Sequence, residues 1–388
     1  MKGRAILSGI GETEYSRNSG LSDKALQLQA IQRAITDAGL SPKDIDGFIP
    51  SSVMPSIYYE DLVENFGIPD LRFTAALHYG GASGVGGLQI ATMAVASGVA
   101  RHVVVVAGRN GVTGIGNISR ALSVAPSKQV LDQASRQFEA PFGASVPMQF
   151  YGLIARRHMH LYGTRSEHFG HVAVTMRSHA LLNPKAMMKK PITLEDHQNS
   201  KLLTDPFRLL DCCIESDGAA AYVVSAAETA ADLKHPGIRI LGVAEGHPDS
   251  PYSIATREDL MTTGTSKAAP RAFAMAGVKP SDLGMAMLYD PFTFMVIFQL
   301  ELLGICRPGE AADFVAGGGI GWQGRLPVNT HGGLHSQAHS MSGLNHICEA
   351  VKQLRGTAGP AQLARTSPCV VTGFGDFGDS AVAILAAA

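Results

Sequence analysis

The chain has 388 residues, of which 45% are apolar and 17% are charged, so it can bury a large interior and is not a disordered protein. This length suits two packed domains or a duplicated pair. The 32 Lys and Arg residues nearly balance the 33 Asp and Glu residues, which excludes the basic excess of a general nucleic-acid or membrane-surface binder. We therefore expect neither a nucleic-acid partner nor a membrane.

The cysteine pattern and the first residues indicate the cellular compartment. The five cysteines are scattered and include no CxxC pair, which predicts a reduced protein without a disulfide framework or a zinc knuckle. The chain begins directly with a strand-like run, AILSGI (5–10), and no apolar stretch approaches the roughly 18 residues of a membrane span. These features predict a cytoplasmic protein.

A weak internal repeat follows the first strand. Residues 35–46 (ITDAGLSPKDID) predict a helix that ends at a glycine, a turn opened by proline, and then a strand over 46–50. Residues 273–284 (FAMAGVKPSDLG) repeat the same order before a predicted strand over 285–289. The shared Ala, Gly, Pro and Asp recur at a constant offset, which indicates two duplicated halves.

A glycine-rich turn that enters a helix also occurs in each half. Residues 78–98 lead to a predicted strand over 102–107, and residues 330–356 lead to one over 368–372. Alternating strand and helix signals predict an α/β protein with buried sheets. We assign the halves to residues 1–227 and 236–388. Between the predicted strands, residues 110–210 carry helix-like runs and are interpreted as an insertion that covers one end of the core.

Four stretches of the chain, in the same order, resemble the thiolase superfamily. They are 166–193, 205–224 (DPFRLLDCCIESDGAAAYVV), 289–294 (YDPFTF) and 329–346 (NTHGGLHSQAHSMSGLNH). The similarity is to the branch of sterol-carrier-protein thiolases and lipid-transfer proteins, and it covers nearly the whole chain. It implies the five-layered αβαβα thiolase fold, with a CoA-thioester pocket between the halves.

The chain departs from that superfamily at the catalytic cysteines. The resemblance places Gly81 where a thiolase has its nucleophilic cysteine, and the second family cysteine is missing from TGFGDFGDS (372–380). Cys369 lies upstream in an apolar run and is predicted to be a core thiol. Covalent acyl transfer by the usual route is therefore not expected. Backbone amides at Gly81 and around Gly373 and Gly375 are predicted to form an oxyanion hole, since that function needs no side chain.

Two side chains remain as candidates for proton transfer. Tyr289 stands where thiolases have an Asn or His that polarises the thioester carbonyl, and His339 matches the histidine of the GHPxGxSG motif. The similar steroid side-chain retro-aldolases, which also lack the cysteine, carry Tyr at both positions. His339 lies in a Gly- and Ser-rich loop, and its ordinary pKa near neutrality suits proton transfer. Which residue is acid and which is base stays open, and Asp290 is interpreted as structural.

Three histidines, His331, His335 and His339, have a spacing that would suit a metal on one helix. Gly332 and Gly333 predict a turn there, so the imidazoles should diverge and no metal site is predicted.

Two further residues are candidates for substrate binding. His331 is expected to contact the thioester or to shape its loop. Lys189 belongs to a basic run (185–190) that either meets CoA phosphates or forms a solvated face.

The resulting functional prediction is a thiolase-fold lyase. It would cleave a β-hydroxyacyl-CoA, with a steroid or similar side chain, into a ketone or aldehyde and a shorter acyl-CoA. CoA would enter as part of the substrate, and no other cofactor is expected. One alternative is a thiolase-type acyltransferase with an unusual site, and another is a non-catalytic acyl-CoA-binding or scaffold subunit.

Two protein partners are predicted. Strand 102–106 (HVVVV) is apolar and, as the supposed edge of its sheet, would invite aggregation, so we expect it to pair in a homodimer. The resemblance also implies a separate zinc-containing OB-fold partner of the DUF35 type.

Overall fold

The computed structural model of the chain describes residues 3–51, 56–113, 137–144, 146–249, 254, 257–339, 342–375 and 378–388. Its strands are β1 (Ala5–Glu12), β2 (Gly47–Pro50), β3 (Phe73–Thr74), β4 (His102–Asn110), β5 (Leu202–Thr204), β6 (Phe207–Arg208), β7 (Asp217–Ala226), β8 (Ile238–Gly246), β9 (Met285–Met287), β10 (Cys369–Phe374) and β11 (Ser380–Ala386). Its α-helices are α1 (Asp23–Ala38), α2 (Tyr59–Phe66), α3 (Ser83–Ala96), α4 (Pro147–Tyr162), α5 (Ser166–Leu182), α6 (Leu194–Asn199), α7 (Gly264–Ala276), α8 (Phe294–Leu302), α9 (Ala311–Ala316), α10 (Gly333–Ser336) and α11 (Leu344–Arg355).

The large sheet repeats one topology in its two halves. Its strand order is β3-β2-β4-β7-β1-β8-β11-β10-β9. In the first half β7 is antiparallel to both β1 and β4, and β2 is parallel to β4. In the second half β11 is antiparallel to both β8 and β10, and β9 is parallel to β10. The halves join where β1 pairs with β8, and the predicted duplication is confirmed.

The repeated helices α1 and α7 end in the same way. Their C-caps are Gly39 and Gly277, both left-handed, with φ of 77° and 72°. Glycine adopts this conformation without the steric cost that a Cβ brings, and it lets the cap amide bond back to the last turn. The glycines recognised in the sequence repeat therefore stop the two helices.

The apolar core consists of three clusters, and the two halves of the sheet lie between them. On β4, Val104 packs in an outer cluster with α1, whereas Val105 packs in a middle cluster with α3 and α11. On β10, Val371 belongs to the middle cluster and Val370 to the other outer cluster, with α7 and α8. Successive strand residues face opposite sides of a sheet, so these clusters define helix, sheet, helix, sheet and helix layers. The predicted five-layered α/β fold is confirmed.

The prediction that strand 102–106 lies at a sheet edge is wrong. Strand β4 is interior, with β2 on one side and β7 on the other, and β3 lies at the end of the sheet in the first half. The apolar run HVVVV is instead explained by burial on both faces. The edge assignment failed because β7 returns to pair with β4 only after the long intervening segment.

Helices α4 to α6 and the β5–β6 hairpin lie between β4 and β7 in the chain. Phe150, Tyr151 and Phe169, from α4 and α5, pack in the outer cluster of the second half with Phe294 and Phe298. The predicted insertion also includes residues 114–136 and 145, which lie outside the described residues. The assigned limits of the two halves stay a prediction. Among the helices described, none combines the length and apolar character that crossing a membrane requires.

Candidate functional site

Tyr289 and His339, the two predicted proton-transfer residues, meet in the structure. Tyr289 follows β9, and its backbone is held on both sides: its amide donates to Thr372 Oγ1 at 3.0 Å, and its carbonyl accepts from Gln299 Nε2 at 2.8 Å. Its hydroxyl oxygen lies 3.3 Å from His339 Nε2. The side chain of Tyr289 is therefore buried and directed by its backbone contacts toward the imidazole.

Gly81 lies directly against the Tyr289 ring. A Cβ at position 81 would stand 2.2 Å from Cζ of Tyr289 and 2.4 Å from the carbonyl oxygen of Phe374. No side chain fits there unless both the ring and the Phe374 backbone move. Position 81, which corresponds to the thiolase nucleophile, is thus a glycine because the Tyr289 ring and the Phe374 carbonyl occupy the space that a Cβ would need.

The other two predicted glycines lie close to this contact. A Cβ at Gly373 would stand 2.8 Å from Cα of Ala82 and 2.9 Å from the carbonyl oxygen of Gly81. The amide of Gly375 donates to the Asp379 carbonyl at 2.7 Å, and its carbonyl accepts from the Tyr151 hydroxyl at 3.3 Å. Gly81 therefore adjoins Tyr289 and Gly373 adjoins Gly81, whereas the Gly375 amide already has an acceptor. Their roles toward a substrate stay predictions.

His339 is held by a segment that sequence reasoning left without a role. Its amide donates to Ser216 Oγ at 3.0 Å, and that hydroxyl lies 3.3 Å from the His339 carbonyl oxygen. Its ring Nδ1 lies 3.4 Å from Cys213 Sγ. Both residues belong to DCCIESDG (211–218), within one of the stretches that carried the resemblance. The resemblance of that stretch was the signal that could have pointed to these two residues. The contact itself left no local trace, because Cys213 and His339 are 126 residues apart in the chain.

Asp290 is structural, as interpreted, and it joins three parts of the site. Its Oδ2 accepts from His335 Nδ1, and its Oδ1 accepts from His346 Nε2 and from the Leu334 amide, all at 3.0 Å. Burial raises the pKa of Asp290, but the hydrogen bonds and charges of His335 and His346 outweigh it and hold that pKa below its usual range. Asp290 is therefore a buried carboxylate.

His335 lies between two acceptors. Its Nδ1 bonds the Asp290 carboxylate, and its Nε2 lies 3.0 Å from the Asp211 carbonyl oxygen. A carboxylate and a carbonyl oxygen only accept, so each ring nitrogen of His335 faces a hydrogen-bond acceptor. His335 thus links Asp290 to the segment that carries Asp211.

The histidines at 331, 335 and 339 diverge, because each has a different neighbour. His335 bonds Asp290, His339 faces Tyr289, and His331 packs edge-on against His346 with ring centroids 4.7 Å apart. Among the described residues, no group of three or more His, Cys, Asp or Glu is arranged to hold a metal ion.

The two predicted binding residues lie away from this pair. His331 is fully buried, and burial lowers its pKa well below the usual value. A direct contact between His331 and a thioester would require its surroundings to open. Lys189 Nζ donates to the carbonyl of Pro184 at 3.1 Å and also to that of Asn183, so it braces its own loop. Substrate binding by either residue stays a prediction.

Cys369 is a core thiol, as predicted. It is fully buried in β10, and burial raises its pKa far above the ordinary value. A thiol that stays protonated in this way is not a nucleophile.

Comparison with known proteins identifies the family. The chain is 43% identical over 366 residues to a "Steroid side-chain-cleaving aldolase" of Thermomonospora curvata, with 92% of each chain covered. Residues 246–387 match the family described as "Thiolase C-terminal domain-like". The chain belongs to the thiolase superfamily. A second relative, 42% identical over 92% of this chain and 93% of its own, is the "17-hydroxy-3-oxo-4-pregnene-20-carboxyl-CoA lyase" of Mycobacterium tuberculosis.

Other members of the thiolase superfamily show where the chain stands within it. A solved "Ltp2-ChsH2(DUF35) aldolase" matches with a TM-score of 0.90 and 41% identity over 100% of this chain and 98% of that one. An "Acetyl-CoA acetyltransferase" of Methanothermobacter thermautotrophicus is 30% identical, with 92% of each chain covered. The chain therefore lies in the lipid-transfer-protein branch, with the aldolases, as its sequence indicated.

Proposed function

We propose that this chain is a carbon–carbon lyase that cleaves a β-hydroxyacyl-CoA by a retro-aldol reaction. The observation that carries the proposal is the contact between Tyr289 and Gly81. The Tyr289 phenol fills the space that a nucleophilic cysteine would need, and it faces the His339 imidazole. The identity to the two relatives named as an aldolase and a CoA lyase supports it. The names of these two relatives also support a steroid or similar side chain as the acyl group.

The reaction needs proton transfer and stabilisation of an enolate. A base removes the β-hydroxyl proton, the electrons of the Cα–Cβ bond pass to the thioester as an enolate, and Cα is then protonated. The products are a ketone or aldehyde and a shorter acyl-CoA. Tyr289 and His339 are the proposed proton-transfer groups, and backbone amides near Gly81 and Gly373 are proposed to stabilise the enolate oxygen.

The test is turnover of candidate β-hydroxyacyl-CoA esters, followed by mass spectrometry of both products. Tyr289→Phe is expected to lower kcat by about 10²-fold, because it removes a proton-transfer group, and His339→Ala is expected to do likewise. Tyr162→Phe, which changes a tyrosine that is 39% exposed, is the matched control and should behave as the unaltered protein. Full activity of Tyr289→Phe would contradict the assigned role. Saturable binding of CoA esters without turnover would favour the non-catalytic alternative.

We also propose a partner of the DUF35 type, a separate zinc-containing OB-fold protein. The support is the similarity to a solved aldolase whose name includes ChsH2(DUF35). Turnover should then rise when such a protein is added to the purified chain. Full activity of the chain alone would remove the need for a partner.

A homodimer and a cytoplasmic location remain our proposals. With β4 interior, the strand left at the end of the first half is β3, and pairing it across a two-fold axis would cover an open edge. Light scattering should give twice the chain mass of 40.8 kDa, and a monomer at micromolar concentration would contradict the dimer. The reduced cysteine pattern supports the cytoplasm, which fluorescence microscopy of the tagged protein would test.

A further inference from the structure

The His339 imidazole lies between a thiol and a phenol. Its Nδ1 is 3.4 Å from Cys213 Sγ, and its Nε2 is 3.3 Å from the Tyr289 hydroxyl oxygen. Because the two nitrogens lie on different sides of the ring, Cys213 and Tyr289 contact His339 from different sides. The three side chains therefore form a short row with the imidazole in the middle.

The segment that carries Cys213 is fastened to both sides of the candidate site. The Cys213 amide donates to the Pro291 carbonyl at 2.9 Å, two residues after Tyr289, and the Ile214 amide donates to the Leu334 carbonyl at 3.0 Å. Ser216 holds the backbone of His339 at both its amide and its carbonyl. The thiol is thus placed against the imidazole by backbone hydrogen bonds.

We propose that Cys213 is a positioning residue that keeps the proton of neutral His339 on Nε2, where it is donated to the Tyr289 oxygen. A neutral imidazole has one N–H and one lone pair, so the neighbour of one nitrogen decides what the other presents. A thiol is a weak donor and a weak acceptor, but the lone pair of an imidazole nitrogen is a good acceptor, so the S–H group pairs with Nδ1 better than an N–H group pairs with sulfur. The thiol proton therefore faces Nδ1, which leaves the ring proton on Nε2.

This inference rests on the proposed function and settles the roles that the sequence left open. An N–H directed at a phenol oxygen stabilises negative charge on that oxygen. Tyr289 is then the base that takes the β-hydroxyl proton, and His339 is the donor that supports it. Cys213 acts through His339 and does not touch the substrate.

The other titratable groups around the pair have partners of their own. The His346 ring faces Tyr289, with centroids 6.2 Å apart, but its Nε2 donates to Asp290. The Asp290 carboxylate is bonded by His335 and His346. Neither His346 nor Asp290 competes for the His339 ring, whose Nδ1 faces Cys213.

The kinetic test compares three variants. Cys213→Val keeps a similar volume without a donor and should lower kcat about 10-fold, equal to about 1.4 kcal/mol, with KM little changed. The half-maximal point of the kcat–pH profile should move to higher pH, because the deprotonated Tyr289 oxygen loses a hydrogen bond that stabilises it. Cys213→Ser keeps a donor and should retain several times more activity than the valine variant.

The matched control is Cys212→Val. Cys212 Sγ lies 3.7 Å from Met148 Sδ and 3.4 Å from the Arg208 carbonyl oxygen. This variant should leave kcat and its pH profile unchanged. Unaltered kinetics in Cys213→Val would overturn the inference, and so would a serine variant as impaired as the valine variant.

A second measurement does not depend on turnover. Imidazole ¹⁵N NMR, with the His339 signals identified by their loss in His339→Gln, should show protonated Nε2 and bare Nδ1, and a mixture of tautomers in Cys213→Val. Protonated Nδ1 in an enzyme that turns over would overturn the inference but leave the function intact. The expected tautomer without turnover of any ester would instead contradict the proposed function.

Intact mass spectrometry separates positioning from nucleophilic catalysis. A thiol next to an imidazole is also the arrangement of a nucleophile and its base. We expect no acyl adduct after incubation with acyl-CoA. An adduct on Cys213 would overturn the inference and support the acyltransferase alternative.

Discussion

Gly81 and Tyr289 are too close together for any side chain at position 81. The chemistry of the site depends on this contact, because a cysteine at position 81 and the Tyr289 ring in its present place are sterically incompatible. The thiolase reaction and the proposed lyase reaction therefore require different occupants of one small volume.

Gly81→Cys tests this exclusion directly. The new Cβ would displace the Tyr289 ring, and misplacement of a proton-transfer group by about 1 Å can cost about 10²-fold in rate. We expect kcat for cleavage to fall by about that factor, and no acyltransferase activity to appear. Steady-state kinetics and a thermal unfolding curve, which separates misplacement from unfolding, would check it. Unchanged cleavage would mean that the ring has room to move.

Asp290→Asn tests the buried, hydrogen-bonded carboxylate at the same scale. It would replace the carboxylate that accepts from His335 and His346 with a neutral amide, and hydrogen bonds to charged groups are each worth about 1.5–3 kcal/mol. We expect the free energy of unfolding in urea to fall by about 3 kcal/mol. Asp70→Asn, which removes an exposed partner of Arg72, is the control and should change little. Equal effects of the two substitutions would show that the buried hydrogen bonds of Asp290 do not stabilise the fold.

At the scale of elements, α1 and α7 show how a short local signal sets a boundary. Both helices end at a left-handed glycine, and both are followed by a turn that a proline opens, at Pro42 and Pro280. The strand that follows, β2 or β9, begins the same number of residues after the capping glycine in both copies. The end of β9 is what brings Tyr289 to the site.

Gly277→Ala should destabilise the protein by about 1 kcal/mol. A Cβ at position 277 has open space around it, so the cost comes from the positive φ alone. Gly277→Asn, a residue that tolerates this conformation better, should lose less. Urea unfolding of both variants would test the assignment. An alanine variant as stable as the original chain would show that the cap is not left-handed in solution.

At the scale of the whole molecule, buried histidines make stability depend on pH. Burial lowers the pKa of His179 to about 4 and that of His331 well below its usual value. In the unfolded chain both titrate near pH 6.5. Below that pH the unfolded state binds protons that the folded state does not, so stability is full above about pH 6.5 and falls with decreasing pH.

His331→Leu tests this dependence. The substitution removes one histidine that takes up a proton only in the unfolded state. The free energy of unfolding should therefore fall less steeply between about pH 6.5 and 5, by up to 1.4 kcal/mol per pH unit. Neither ring nitrogen of His331 has a hydrogen-bond partner among the described residues, so no bond is lost. His160→Gln, at an exposed position, is the control. An unchanged slope in His331→Leu would show that His331 is protonated in the folded state.

The amino-acid sequence by itself determined the features that depend on neighbours in the chain. The duplicated helix-Gly-turn-Pro-strand order and the buried strands are local signals of backbone conformation or residue size. Together with the resemblance, they were enough for the five-layered fold and for the choice of Tyr289 and His339. Local signals are reliable here because a left-handed cap or a two-sided buried strand restricts the residue types that can occupy it.

Only the tertiary structure decided which distant segments meet. The interior position of β4 depends on β7, which pairs with it only after the insertion. In the sequence, an apolar strand that a later strand covers has the same pattern as an apolar strand that a dimer partner covers. Cys213 and Ser216 reach His339 across more than a hundred residues, and His335 and His346 converge on Asp290 across 45 and 56 residues. These contacts arise from how the layers stack, and a hydrogen bond between remote side chains leaves no periodic trace in the sequence.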